Sequence, residues 1–177
     1  MLDLPNHQIE AMATTQDNAN AWVQDNILNF PNVKFKPNQS QNPSPPSQGS
    51  FNTSYLPILV LTICFLFNNN LLLLVNLYPY FSYVTTRNMG LDYAIFTGIS
   101  LVGDGQHNYQ NLFDAMLDVV YSTLENRGGG SLEIVVSRTG WPTDGGEAAT
   151  IDNARTYNNN LNQHVKQGIA NETRKAY

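Results

Sequence analysis

The chain has 177 residues, 14 acidic against 9 basic side chains, 42% hydrophobic content and only 13% charge, a balance that describes one globular domain and not a disordered tail. A complete (β/α)8 barrel takes roughly 250 residues, so any α/β barrel built from this chain is a partial one. The net charge of -5, with five Arg and four Lys scattered along the sequence, leaves no electrostatic footprint for nucleic acid. The single cysteine, Cys64, excludes an intramolecular disulfide framework and a cysteine-based metal cage.

Met1-Leu2-Asp3-Leu4-Pro5 carry neither a basic n-region nor an apolar h-region. A cleavable leader is therefore not visible, and the chain reads as cytosolic. Asn-x-Ser/Thr sequons stand at Asn38, Asn52 and Asn171; with 23 Asn in the chain, chance matches are expected. From Asp17 to Asn29 the apolar positions Ala21, Trp22, Ile27 and Leu28 allow a short helix capped by Asp17, followed by a strand at Val33-Lys34-Phe35. Residues 36–54, with Pro37, Pro43, Pro45 and Pro46 among Gln, Asn and Ser, read as a junction.

Leu56 to Phe67 is the most apolar stretch, and Asn68-Asn69-Asn70 ends it before Leu71. It falls short of the roughly 20 residues of a bilayer span, so a core helix followed by a buried strand is expected, with Cys64 a buried thiol and no membrane partner. The Leu71 to Tyr78 run is too continuously apolar for a half-exposed antiparallel strand and suits the inside of a parallel sheet; Pro79 closes it. A helix is predicted over 108–126, its stripe formed by Tyr109, Leu112, Phe113, Met116, Leu117, Val120, Tyr121 and Leu124. Gly128-Gly129-Gly130 stops it, and Leu132 to Val136 follows as a strand. A last helix is predicted over 151–166, with Thr150 as cap and Gly168 as stop. The loop between, Ser137 to Ala149, is where an α/β barrel places its working residues.

His7, His107 and His164 show no paired ligand spacing, so no metal site is expected. The sequence lacks a G-x-S-x-G elbow, a P-loop lysine and a complete dinucleotide fingerprint, so neither a hydrolase triad nor a nucleotide cofactor is indicated. What remains is a set of aromatics beside strand ends: Tyr78, Tyr80, Phe81, Tyr83 and Trp141. These offer flat faces to the apolar sides of sugar rings, or they are plain core packing; periodicity alone weighs the two equally.

The block Leu74-Val75-Asn76-Leu77-Tyr78-Pro79-Tyr80-Phe81-Ser82-Tyr83 resembles plant endo-β-1,3-glucanases, glycoside hydrolase family 17. So do Leu91 to Thr97, Tyr109 to Met116, Gly129 to Ser137, Gly140-Trp141-Pro142 and Asp152 to Asn158, in the family's order. Ala19 to Gln24 and Val33 to Phe35 are also similar to it. The resemblance implies a (β/α)8 barrel, here partial, that cuts β-1,3-glucan internally with retention of configuration. Such chemistry needs an acid/base carboxyl and a nucleophilic carboxylate roughly 5–5.5 Å apart. The organisation it implies is an N-terminal barrel fragment over 1–35, the junction over 36–54, a C-terminal barrel portion over 55–170 and a tail over 171–177.

By that resemblance the nucleophile is the Glu of a Ser-Glu-Ser-Gly-Trp-Pro-like motif, and here the block reads Ser137-Arg138-Thr139-Gly140-Trp141-Pro142. Arg138 holds the nucleophile position, and a guanidinium that stays protonated cannot attack an anomeric carbon. The acid/base block expected after Phe35 has no counterpart, nor do the family's first strands and its last, which points to an internal deletion. Glu133, Asp104, Asp144 and Glu147 are the remaining carboxylates near the block, and no motif places them. The resemblance therefore implies a catalytically silent relative with no catalytic residue. Substrate contacts fall to Asn76, Tyr78, Tyr80, Phe81 and Trp141, β-1,3-glucan or a related polysaccharide is the partner, and the ancestor is extracellular or cell-wall. A non-catalytic glucan-binding or decoy protein is the alternative. A third reading is a chain that never folds stably, its strand edges left unpaired.

Overall fold

The computed structural model describes residues 56–104 and 107–168. The helix expected over 17–29, the strand at 33–35, the junction and the tail lie outside the described residues, as do the three sequons. The elements run α1 (Leu56–Asn68), β1 (Leu73–Asn76), α2 (Pro79–Thr85), α3 (Leu91–Ala94), β2 (Val102–Asp104), β3 (His107–Tyr109), α4 (Leu112–Glu125), β4 (Ile134–Arg138) and α5 (Ile151–Lys166).

The apolar run folds as α1, and its end shows why the chain turns there. Asn70 takes φ 52, a left-handed value that Asn tolerates. Leu71 N–H then donates to Leu66 O at 2.9 Å and Asn70 N–H to Phe67 O at 3.2 Å. This paired closure satisfies carbonyls that the helix leaves open. Ile63 and Leu66 face the core. Cys64, expected to be buried, is exposed: it lies about 100° round the helix from Ile63, outside a narrow buried stripe. No helix among the described residues is long and apolar enough to cross a membrane.

β1 and β4 form a two-stranded parallel sheet, pairing Leu73 with Ile134, Leu74 with Val135, Val75 with Val136 and Asn76 with Arg138. Parallel neighbours need a long crossover, supplied here by α2, α3, an antiparallel β2–β3 hairpin and α4. One face of the sheet is dry: Leu73, Val75, Leu77 and Ile134 pack with Ile63 and Leu66 of α1 and with Phe113, Leu117, Tyr121 and Leu124 of α4. The other face is more open, with Leu74 half-buried and Val135 40% exposed. β1 is shorter than the Leu71–Tyr78 run because Leu71 and Leu72 are exposed on the way out of the α1 turn. The strand ends at Asn76, short of the expected Tyr78, and Pro79 instead opens α2, where its fixed φ and missing N–H suit the first helical position.

α4 begins later than the stripe predicts. Tyr109 belongs to β3, paired with Val102, and Asn111 caps α4 by accepting from Asp114 N–H at 2.8 Å. Burial extends beyond the expected stripe to Ala115, Val119 and Thr123, while Met116 and Val120 of the stripe are only half-buried. At its far end Gly128 (φ 77) repeats the closure seen after α1: Gly129 N–H donates to Leu124 O at 2.9 Å and Gly128 N–H to Glu125 O at 3.1 Å. α5 matches its predicted range, with Thr150 accepting from Asn153 N–H at 3.1 Å. A second core cluster, Ala94, Ile95, Leu112, Trp141, Ala154 and Tyr157, holds α3 and α5 to the loop that follows β4.

Candidate functional site

Both parallel strands end at the same edge, and the chain after each supplies the candidate residues. β4 extends two residues beyond the predicted Val136 because Ser137 and Arg138 still meet β1. The ladder carries a bulge there: Val75 pairs with Val136 and Asn76 with Arg138, so Ser137 is the additional residue. In such a bulge both residues of the longer strand stand opposite one residue of its partner. Ser137 Oγ donates to Asn76 Oδ1 at 3.0 Å and lies 3.3 Å from Val75 O, while Leu77 N–H donates to Arg138 O at 3.0 Å. Ser137 and Arg138 thus both lie against Asn76, the first through its hydroxyl and the second through its pairing in the ladder. Arg138 is exposed. The ion pairs among the described residues are Arg155 with Asp152 and His164 with Asp114, and Arg138 belongs to neither.

The aromatics divide into two groups. Tyr78 and Tyr80 are half-buried, and Phe81 is 61% exposed. Their rings meet edge to face, Tyr78 with Phe81 at 5.9 Å and Tyr80 with Phe81 at 5.6 Å. Trp141 is instead a core residue, only 6% exposed. Its ring packs on Tyr80 at 5.1 Å, Tyr83 at 5.6 Å and Tyr157 at 5.8 Å, and its indole N–H donates to Ala148 O at 2.9 Å. Trp141 therefore braces Tyr80 from beneath. The Ser137–Ala149 loop closes over the same ring: a Cβ placed on Gly146 would come within 2.2 Å of the Tyr80 hydroxyl.

Thr139, the next residue after Arg138, hydrogen-bonds the hydroxyl of Tyr157, which is fully buried in α5. Burial pushes the Tyr157 phenol up to about 12, the Thr139 hydrogen bond pulling the other way. Tyr93 is raised further, by burial first and then by the negative charge of Asp114. Sequence reasoning passed over Ser137 and Thr139, whose only signal was their place beside Arg138.

The stray carboxylates are dispersed. Glu133 does not sit mid-strand as expected; it precedes β4 and is exposed, and its carbonyl accepts from Leu73 N–H. At about 3.3 Å per residue it stands roughly 16 Å down the strand from Arg138, at the opposite end of the sheet. Asp144 and Glu147 are exposed in the loop, where Asp144 Oδ1 accepts from Gly145 N–H at 2.7 Å. Asp104 lies in β2, in the hairpin. No group of three or more His, Cys, Asp or Glu able to hold a metal occurs among the described residues.

A βαβ unit whose parallel strands share one functional edge is the repeating unit of an α/β barrel, and its site lies at the strands' carboxyl ends. Residues 37–176 match the sequence profile of glycosyl hydrolases family 17, and the chain belongs to that family. It is 40% identical to a glucan endo-1,3-beta-glucosidase of Vitis vinifera, over 95% of this chain and 64% of the relative, and 38% identical to that of Pisum sativum, over 95% and 59%. The chain thus spans less than two thirds of the length of these relatives. Among solved structures it is similar to CJP38, a beta-1,3-glucanase and allergen of Cryptomeria japonica pollen, at TM-score 0.76 and 32% identity, covering 95% of this chain and 68% of that one. The fold is accordingly a partial TIM barrel. The grapevine alignment is 219 residues long but takes up only 95% of 177 residues, about 168, so about 50 of its positions lie opposite gaps in this chain.

Proposed function

We propose that this chain is a family-17 glucanase relative that no longer hydrolyses β-1,3-glucan and retains, at most, the ability to hold it. The observation that carries this reading is Arg138: the residue standing opposite Asn76, at the strand end where the resemblance puts a nucleophilic glutamate, is a cation. A retaining mechanism uses two carboxyl groups roughly 5–5.5 Å apart. Glu133 is at the wrong end of β4, and Asp144 and Glu147 are exposed on a loop. Losing one positioned catalytic group raises a barrier by several kcal/mol, and here neither member of the pair is in place. The gapped positions of the grapevine alignment, about 50 in all, are enough in number for a block of the barrel to be missing.

The test is a reducing-end assay on laminarin with the full chain. No turnover is expected, and Arg138→Glu alone does not restore it, because the partner carboxyl is still missing. Turnover by the wild type that a Glu or Asp substitution abolishes overturns the proposal. The glucan-binding reading draws support from Phe81, which is 61% exposed with Tyr78 and Tyr80 at its edges. Tyr80→Ala is expected to weaken retention on insoluble β-1,3-glucan.

A further inference from the structure

We propose that the strand-end site, with Arg138 standing where the family resemblance puts a carboxylate, selects a saccharide bearing carboxylate groups over the neutral glucan of the same backbone. The inference rests on the saccharide-binding reading above and names the class of ligand that site takes.

A carboxylate in this place would repel an acidic sugar, whereas a guanidinium attracts one. Arg138 is exposed, is paired with Asn76 at the strand end next to Ser137, and has no ion-pair partner among the described residues. Its planar fork of donors matches a carboxylate in two parallel charge-assisted hydrogen bonds. Asn76 adds a side-chain amide beside it: Ser137 Oγ occupies the Asn76 carbonyl oxygen at 3.0 Å, which leaves the amide nitrogen as a donor. Tyr78, Tyr80 and Phe81 follow directly in chain and supply ring faces for the apolar side of a pyranose. The combination of a bidentate cation, a neutral donor and an aromatic platform suits a hexuronate better than a neutral hexose. The carboxylates nearest in sequence do not cancel the cation by contact: Glu133 precedes β4 at its other end, Asp144 accepts from Gly145 N–H on its own loop, and none of Glu133, Asp144 and Glu147 is ion-paired with Arg138.

The test compares two probes that differ only in charge: laminarihexaose, and laminarihexaose oxidised at C6 to carboxylates. Titration calorimetry with the full chain at low salt is expected to give at least tenfold tighter binding of the oxidised probe. That preference should fall as salt rises to 0.5 M, because an exposed ion pair is screened. Arg138→Gln is expected to bring the two probes' affinities to within twofold of each other, and Arg138→Lys to retain part of the preference, since the charge stays and the fork is lost. Equal binding of both probes by the wild type, or a preference that survives Arg138→Gln, overturns this inference and leaves glucan binding standing. Binding of neither probe overturns both. Should Arg138→Gln fail to fold, the wild-type probe ratio and its salt dependence decide alone.

Discussion

Replacing Tyr157 with Phe should change the order of stability between wild type and variant as pH rises. Tyr157 is wholly buried against Phe96 at 5.6 Å and Trp141 at 5.8 Å, and its hydroxyl is bonded to Thr139 at the mouth of the site. At pH 8 the phenol is neutral in both folded and unfolded chains, and Tyr157→Phe removes one hydrogen bond, costing about 1 kcal/mol. The folded pKa is raised from 10.0 to about 12. A raised pKa contributes stability that is intact below pH 10, the unfolded value, and is lost as pH climbs towards the folded one. At pH 11 an unfolded tyrosine is mostly ionised and the folded one mostly neutral, which lowers wild-type stability by about 1.4 kcal/mol through this residue alone. Phe carries no such term. Urea unfolding of both proteins at pH 8 and pH 11 should show wild type ahead at the first and level with or behind the variant at the second. Because both proteins carry the remaining tyrosines, Tyr93 included, the difference isolates Tyr157. A gap that is the same at both pH values refutes the reasoning.

Gly146→Ala would press a methyl against the Tyr80 hydroxyl, 2.2 Å from the ideal Cβ, and so displace the ring that Trp141 supports. Trp141 fluorescence should shift and retention on insoluble β-1,3-glucan should drop, while Tyr80→Phe in the same chain relieves the clash and restores the spectrum. Asn111→Ala uncaps α4, removing both the bond from Asp114 N–H and that to Asp114 Oδ2, each 2.8 Å, from a residue only 4% exposed. A loss of about 1–2 kcal/mol is expected in urea unfolding, with Asn111→Asp recovering the cap and part of that loss.

Most long elements were legible because their signals are local. α5 spans its predicted range since Thr150 and Gly168 mark its ends, and the helix inside the apolar run is found where the run is. The β2–β3 hairpin was not legible: Tyr109 fits the helical stripe of α4, and only its pairing with Val102, seven residues earlier, makes it a strand. α2 was missed for a similar reason, since Pro79 marks a strand end as readily as a helix start. The site was legible in part. Tyr78 and Tyr80 each meet the Phe81 ring, but one ring could not be told from another by type, and burial separates exposed Phe81 from covered Trp141.

That separation bears on what a Gly-Trp-Pro block signifies. Trp141 fills the second core cluster, meets Tyr80 edge to face and ties down the loop through Ala148, so a chain that keeps this packing keeps the block whatever its chemistry. Ser137 and Thr139 likewise have structural partners in Asn76 and Tyr157. Arg138, between them, is exposed and held by its backbone through the bond from Leu77. Its side chain enters neither ion pair among the described residues, so a change at this position disturbs no buried contact among them. The surrounding motif is held by this packing, so a resemblance carried by these residues reports the fold and leaves position 138 free to vary.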